Sequence, residues 1–248
     1  MIKILQNDIN ENTFPQPMNL SWLRESFLNQ VTHIPIALGS NNLGDDIQSL
    51  AASSFFGVNN FVSRDEFSTW PKDSLVLLCG WIGRDVLPCK TDVIIASYHC
   101  RDIRQKNAYA KREWFKSMVK QQGFPAMCRD IATRDFLRKC GVDAEFGGCI
   151  SLTFPKYTGQ REGSYDIDNL LNYKTYSSSI QQIDNNLKGK GFQERIDLAL
   201  KRVNFISQAS QVNTSRLHVY LPSIALGTPV NLILSDYVSE KDRFSGYI

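Results

Sequence analysis

Residues 212–234 read VNTSRLHVYLPSIALGTPVNLIL. A polar-apolar run ends in Asn213-Thr214-Ser215, Arg216-Leu217-His218 follows, and two apolar stretches are then separated by Gly227-Thr228-Pro229. The spacing predicts strand, turn, helix, turn, strand, which is one unit of an α/β sheet. Thr214 and Ser215 are helix-start side chains. Gly227 is a helix stop, with Pro229 just beyond it. Leu217, Tyr220, Leu221, Ile224 and Ala225 share one helical face, so the helix is expected to bury one side. Arg216 and His218 then sit at its positive end, just past the carboxyl edge of a strand. Open α/β sheets bind ligands there, and helix starts favour anions. A solvated cap has the same Arg-x-His spacing, so spacing alone leaves both roles open.

Outward from this unit the same alternation recurs. Residues 1–19 are polar and read as an irregular arm, and residues 22–30 as a short helix that Ser21 can cap. Ile34–Gly39 reads as the first buried strand, Ser40–Asp46 as a polar turn, and Ile47, Leu50, Ala51, Ser54 and Phe55 as helical spacing. Asp45 in that turn is either a helix cap or a base. Residues 61–65 give a short strand and turn. Residues 74–81 and 92–99 are continuous apolar runs, hence central parallel-type strands. His99 closes the second of these, either as a hydrogen-bonded edge group or as part of a site. Residues 111–122 and 133–140 read as helices stopped by Gly123 and Gly141, with Arg129-Asp130 at a strand exit and Asp130 placed to cap the second helix. Residues 155–164 read as a linker, 165–168 as a strand, and 192–207 as a helix with Ile196, Leu200 and Val203 inward. His33 precedes a strand and has no assigned role. The expected architecture is α/β with largely parallel sheets, divided into modules at about 1–160 and 161–248.

Composition narrows the class. Hydrophobic residues make up 42% and charged residues 21%, with a net charge of +3, which suits a globular chain and gives no footprint for nucleic acid. The six cysteines (Cys79, Cys89, Cys100, Cys128, Cys140 and Cys149) include no CxxC pair and no zinc-type spacing with histidine. Free thiols in a reducing compartment are therefore expected. MIKILQNDINENTF lacks the apolar core of a signal peptide, and the apolar runs fall short of a bilayer crossing. The expected location is the cytoplasm, with no integral membrane segment and no metal.

Three stretches carry a resemblance, in order along roughly residues 36–246. NNLGDDIQSLAASSFF, CRDIATRDFLRKCGVDAEFGGCISLTF and TSRLH…LPSIALGTPV are similar to segments of the polysaccharide pyruvyltransferase family. Ser97-Tyr98-His99 and Asp242-Arg243-Phe244-Ser245-Gly246 resemble the family's "SFH" and closing "RF-x-G". Gly147 stands where serine is usual, and Asn213, Val219 and Tyr220 also depart from the common wording.

The resemblance implies two Rossmann-like modules in a GT-B-like arrangement. It also implies transfer of a pyruvyl group from phosphoenolpyruvate to two hydroxyls of a glycan sugar, forming a ketal, with phosphoenolpyruvate as donor substrate and no cofactor. By the same resemblance Arg129, Ser215, Arg216 and Leu217 meet the donor, the two arginines as a clamp for carboxylate and phosphate. His218 is the acid/base, and Asn41, Asn42, Asp45 and His99 face the acceptor. The imidazole of His218 is expected at an interlobe gap. Two alternatives stay open: a GT-B-type glycosyltransferase using a nucleotide-sugar, and a non-catalytic sugar-binding relative.

Overall fold

The structure is a computed structural model and describes residues 2–5, 20–81, 92–100, 108–168, 179–180, 187–235 and 241–247. Cys89 and most of 172–186 lie outside the described residues. Along the chain the elements are β1 (Ile2–Leu5), α1 (Ser21–Phe27), β2 (Val31–Ile36), α2 (Leu43–Phe56), β3 (Phe61–Ser63), β4 (Leu75–Trp81) and β5 (Asp92–His99). Then come α3 (Ala108–Gln122), β6 (Ala126–Cys128), α4 (Ile131–Lys139), β7 (Ala144–Phe146), β8 (Glu162–Ile167) and β9 (Ser179–Ile180). The chain closes with α5 (Phe192–Gln208), β10 (Ala209–Thr214), α6 (Leu217–Leu226) and β11 (Val230–Ser235).

Two sheets form an α/β structure. The first has six strands in the order β3-β2-β4-β5-β6-β7, with every pairing parallel. The second runs β1-β11-β10-β8-β9, parallel except for β1, which pairs antiparallel with β11. Residues 2–5 therefore belong to an edge strand, where an irregular arm was expected from their polar surroundings. The run of successive strands reverses at β2, which lies between β3 and β4. In doubly wound sheets the ligand crevice opens at the carboxyl ends beside such a reversal.

Most element boundaries follow from local chemistry. Asn42 caps α2, its side-chain oxygen accepting from the Gly44 N–H at 3.0 Å, so Asp45 is not the cap. Asp130 caps α4 through the Thr133 N–H at 2.8 Å. Gly227, at φ 71°, ends α6 in the left-handed conformation that favours glycine. The start of α6 differs from expectation: the N-cap is Arg216, and Thr214 stays in β10 and accepts from the Arg216 N–H at 3.0 Å. α6 is also buried on nearly every side rather than along one stripe. Leu200, expected inside α5, is 45% exposed. β8 begins at Glu162, inside the expected linker.

α2 is the helix on which the two sheets meet. One side packs on β2 and β4, the other on α5, α6 and the turn Ile150–Thr153. At its first turn Arg195 of α5, fully buried, forks onto Asp46 of α2 through Nε (3.1 Å to both carboxylate oxygens) and Nη2 (2.9 Å). Its remaining N–H groups donate to the carbonyls of Leu38, Leu187 and Ser40.

Removing one partner of such a pair strands a buried charge. We expect Arg195→Met to lower unfolding free energy by ~3–5 kcal/mol, and Asp46→Leu combined with Arg195→Met to recover most of that. Urea titration of the three proteins measures both. A single-variant loss below ~1 kcal/mol would show that the fork is not the constraint holding the halves together.

Candidate functional site

The loops that leave the carboxyl ends of both sheets converge on one buried polar cluster. β2 delivers Asn41, Asn42 and Asp45; β3 delivers Arg64; β5 ends in His99; β6 is followed by Arg129-Asp130; and β10 leads through Ser215 and Arg216 into His218. The turn at Lys241–Phe244 adds Arg243, and Ser245 and Tyr247 tie this terminal segment to the first sheet. Ser245 accepts from the N–H groups of Ile131 and Ala132, and the Tyr247 hydroxyl donates to the Arg129 carbonyl.

Local strain shapes the cluster. Gly80 in β4 (φ 80°) and Ser97 in β5 (φ 59°) lie at a register shift between these strands. A bulge of this kind bends strands and re-aims the side chains that follow, here His99. A Cβ on Gly80 would stand 2.9 Å from Gln48 Oε1 and 3.1 Å from Arg64 Nη1. In α6 the residue four before Pro222 is His218. Proline removes the hydrogen bond to that carbonyl and crowds it, and His218 has φ −85° and ψ 19°, outside the helical region. The sequence H-x-x-x-P thus turns His218 out of the first turn and toward the other sheet.

There His218 is only 3% exposed. Its Nε2 lies 3.2 Å from Arg129 Nη1. A Cβ on Gly44 would stand 2.8 Å from both the Cβ and Nδ1 of His218, so only glycine lets the two halves approach here. The open interlobe mouth expected from sequence is closed at this point, and the imidazole sits in the contact between the halves. A guanidinium can only donate, so Nε2 accepts and the neutral ring carries its proton on Nδ1. Burial, the Arg129 and Arg243 charges and His99 hold the His218 pKa well below its usual range, against the pull of Asp45.

Arg129 is 1% exposed, and its Nε and Nη2 have no hydrogen-bond partner; Nε is ion-paired with Asp130 Oδ2 at 3.5 Å, too long for a hydrogen bond. Arg64 Nε and Gln48 Oε1 are likewise buried and unsatisfied. Buried orphan donors are rare in native structures and call for a specific explanation. Arg64 also stacks on Trp81, 5.9 Å from the ring centroid, and meets Asp45 at 3.4 Å. Asp45 accepts from the Ser40 hydroxyl at 2.6 Å. Burial would raise its carboxyl, but Arg64, His218 and Ser40 outweigh burial and hold it at about 2, which leaves it a poor base. His99, 8% exposed, places Nδ1 2.7 Å from Asp130 Oδ2. Burial and Arg129 bring its pKa down to about 4 despite that carboxylate.

Several sequence-predicted residues stand elsewhere. Arg216, 25% exposed at its side chain, pairs with Asp168 at 3.1 Å. Ser215 donates to the Asp168 carbonyl at 2.7 Å. Leu217 is buried in the apolar core. Arg129, His218, Asp45 and His99 do come together. Asn42 serves as the helix cap, and Asn41 is half-buried beside it. Sequence reasoning missed Arg64, Gln48 and Arg243 as members of the cluster. A charged residue directly after a strand was the available signal for Arg64. A cavity of about 490 Å³, lined by Thr32, Lys72, Leu75, Asp92 and Gln122 among others, lies at the amino ends of β4 and β5, away from this chemistry. Among the described residues no group of His, Cys, Asp or Glu is arranged to hold a metal, and no helix is long and apolar enough to cross a membrane.

No family model and no curated protein sequence matches the chain. The crystal structure of a functionally uncharacterized protein from Klebsiella pneumoniae subsp. pneumoniae NTUH-K2044 is similar in fold, with a TM-score of 0.56 at 14% sequence identity over 91% of each chain.

Because both site histidines bind protons less readily folded than unfolded, the unfolded chain takes up more protons as pH falls below ~6.5. Stability is then full above that pH and declines toward pH 4, by up to ~1.4 kcal/mol per pH unit for each neutral histidine. Asp46, its carboxyl raised by burial to about 7, works in the opposite sense over this range, so the test is the comparison: on going from pH 7.5 to 5.5, His218→Asn should lose less urea stability than the parent protein. An unchanged loss in the variant would contradict the burial of a neutral imidazole.

Proposed function

We propose that the chain is a phosphoenolpyruvate-dependent pyruvyltransferase acting on a pair of hydroxyls of a glycan sugar. The observation that carries this is Arg129: a buried guanidinium with two nitrogens that lack a hydrogen-bond partner, in hydrogen-bond contact with His218. It joins two of the three stretches in which the sequence resembles that family, and Gly44 brings the third against His218. A carboxylate or phosphate satisfies such donors in the planar geometry a guanidinium presents. Arg64, Arg129 and Arg243 set against Asp45 and Asp130 leave the cluster with one positive charge in excess, as an anionic donor requires.

In this scheme Arg129, with Arg243, takes the role expected of Arg129 and Arg216, since Arg216 is engaged by Asp168. The donor anion takes over Arg129 Nη1 and frees His218 Nε2. The negative charge then raises the proton affinity of that ring. His218 delivers a proton to the terminal methylene carbon, and the adjacent carbon becomes electrophilic and accepts the sugar oxygens. The halves must part for the donor to reach Arg129, because His218 packs against Gly44 with no room for even a Cβ between them. Two Rossmann-like modules in a GT-B-like arrangement suit such opening.

A thermal-shift comparison tests the scheme. Phosphoenolpyruvate at about a hundred times its Kd should raise the melting temperature by ~5–10 °C, and a nucleotide-sugar should not. Arg129→Lys should lose most of that rise relative to its own baseline. A nuclear magnetic resonance titration should show the His218 pKa rising when donor is bound. A response to the nucleotide-sugar alone would overturn the proposal in favour of a glycosyltransferase.

A further inference from the structure

Ketal formation needs a group that removes protons from the attacking hydroxyls, and on the pyruvyl-transfer reading Asp45 was the sequence candidate. Its carboxylate is occupied by Ser40 and ion-paired with Arg64. His218 is committed to the donor side. We infer instead that His99 is the general base for the acceptor hydroxyl, and that Asp130 is the positioning residue that fixes its tautomer.

The geometry is that of an imidazole held by a buried carboxylate. Asp130 is fully buried, and both of its oxygens are used: Oδ1 accepts from the Thr133 N–H at 2.8 Å and Oδ2 faces His99 Nδ1 at 2.7 Å. Arg129 Nε, 3.5 Å from Oδ2, keeps the carboxylate charged. An ionised carboxylate only accepts, so Nδ1 must carry the imidazole proton. Nε2 is then the basic nitrogen, and it makes no hydrogen bond to a described residue. Thr133 Oγ1 lies 3.4 Å from Nδ1 and accepts from the Cys100 N–H, closing the back of the ring. Burial, and after it the Arg129 charge, keep this ring neutral, as a base must be before it acts. The two imidazoles thus present opposite partners: His218 Nε2 to a cation, His99 Nδ1 to an anion.

The proton balance closes with this division. One proton is added to the donor's methylene carbon from His218. The first hydroxyl gives its proton to His99 Nε2 as its oxygen bonds to the adjacent carbon. The bond from that carbon to the phosphate oxygen breaks, and the second hydroxyl adds in its place and gives up its own proton. Of the two protons released, one restores His218 and the other leaves on the phosphate as hydrogen phosphate.

Nitrogen-15 long-range correlation spectra of the whole protein read the tautomer directly. The parent should show His99 protonated on Nδ1 at pH 7.5, and Asp130→Asn, which retains the α4 cap oxygen, should shift the proton to Nε2. With phosphoenolpyruvate and a sugar acceptor, His99→Gln should keep the donor-induced melting shift but lose ~100-fold or more in kcat. Asp130→Asn should lose kcat with KM little changed, by up to ~10⁴-fold if it acts as a buried aspartate does beside a catalytic histidine. A parent His99 protonated on Nε2, or a His99→Gln variant that transfers normally, overturns the inference. A parent protein that shows no donor shift at all refutes the pyruvyl reading instead, and the spectra still decide whether Asp130 sets the tautomer.

Discussion

The Arg195–Asp46 fork is the constraint from which the site geometry follows. A guanidinium with every N–H group satisfied and no exposure cannot slide, because any shift leaves a charge in apolar surroundings. It fastens α5, which belongs to the second sheet, to α2 and to the carbonyls of Leu38 and Ser40 in the loop after β2. That loop is the one that presents Asn42, Gly44 and Asp45. Gly44 then meets His218, and the carboxyl ends of the two sheets are brought face to face. The catalytic candidates touch because a residue with no chemistry of its own holds two helices together.

Within that frame, charge and hydrogen-bond direction decide what each group can do. Guanidiniums donate and carboxylates accept, so each imidazole has its tautomer dictated by its neighbour. Arg129 is the buried guanidinium with most left over. Its Nη1 is used on His218 and its Nε only ion-pairs with Asp130, while Nη2 has no hydrogen-bond partner in a place where water is largely excluded. Unsatisfied buried donors lower stability. Their retention at the point where β2, β6 and α6 meet is the clearest physical sign that something anionic belongs there.

The fold was largely legible from residue spacing. The apolar runs at 75–81 and 92–99, the cap at Asp130 and the stop at Gly227 all rest on local chemistry, and local chemistry is written in order along the chain; the cap of α2 is Asn42, where Asp45 was the candidate. Failures cluster where tertiary contacts override pattern. α6 carries an apolar stripe in sequence, but it lies between layers and is buried all round. β1 is four residues in a polar stretch and exists only because β11 offers it an edge. Arg216 looks like the donor clamp because it adjoins His218. The partner that captures it, Asp168, is distant in sequence and follows a different strand, β8. Arg195 reads as an ordinary polar position on an amphipathic helix, since nothing in its neighbours announces a buried carboxylate on α2. Pro222 was legible, yet its effect on the carbonyl four residues earlier becomes meaningful only once His218 is seen to face the other sheet.

Linkage ties these features into one device. Burial and two guanidiniums keep His218 neutral, so protonating it works against folding. On the proposed function, an anion on Arg129 reverses the sign of the local field, and the same protonation then becomes favourable. Coupling of this kind is reciprocal: whatever the anion adds to the proton affinity of His218, the proton adds to the affinity for the anion. On that reading acidification acts in opposite directions, loosening the fold and tightening its hold on the anion. A site built on an exposed cap would show neither effect, because solvent would screen both charges. Closure around His218, which at first sight works against its use in chemistry, is what gives the ring a proton affinity that a bound anion can change.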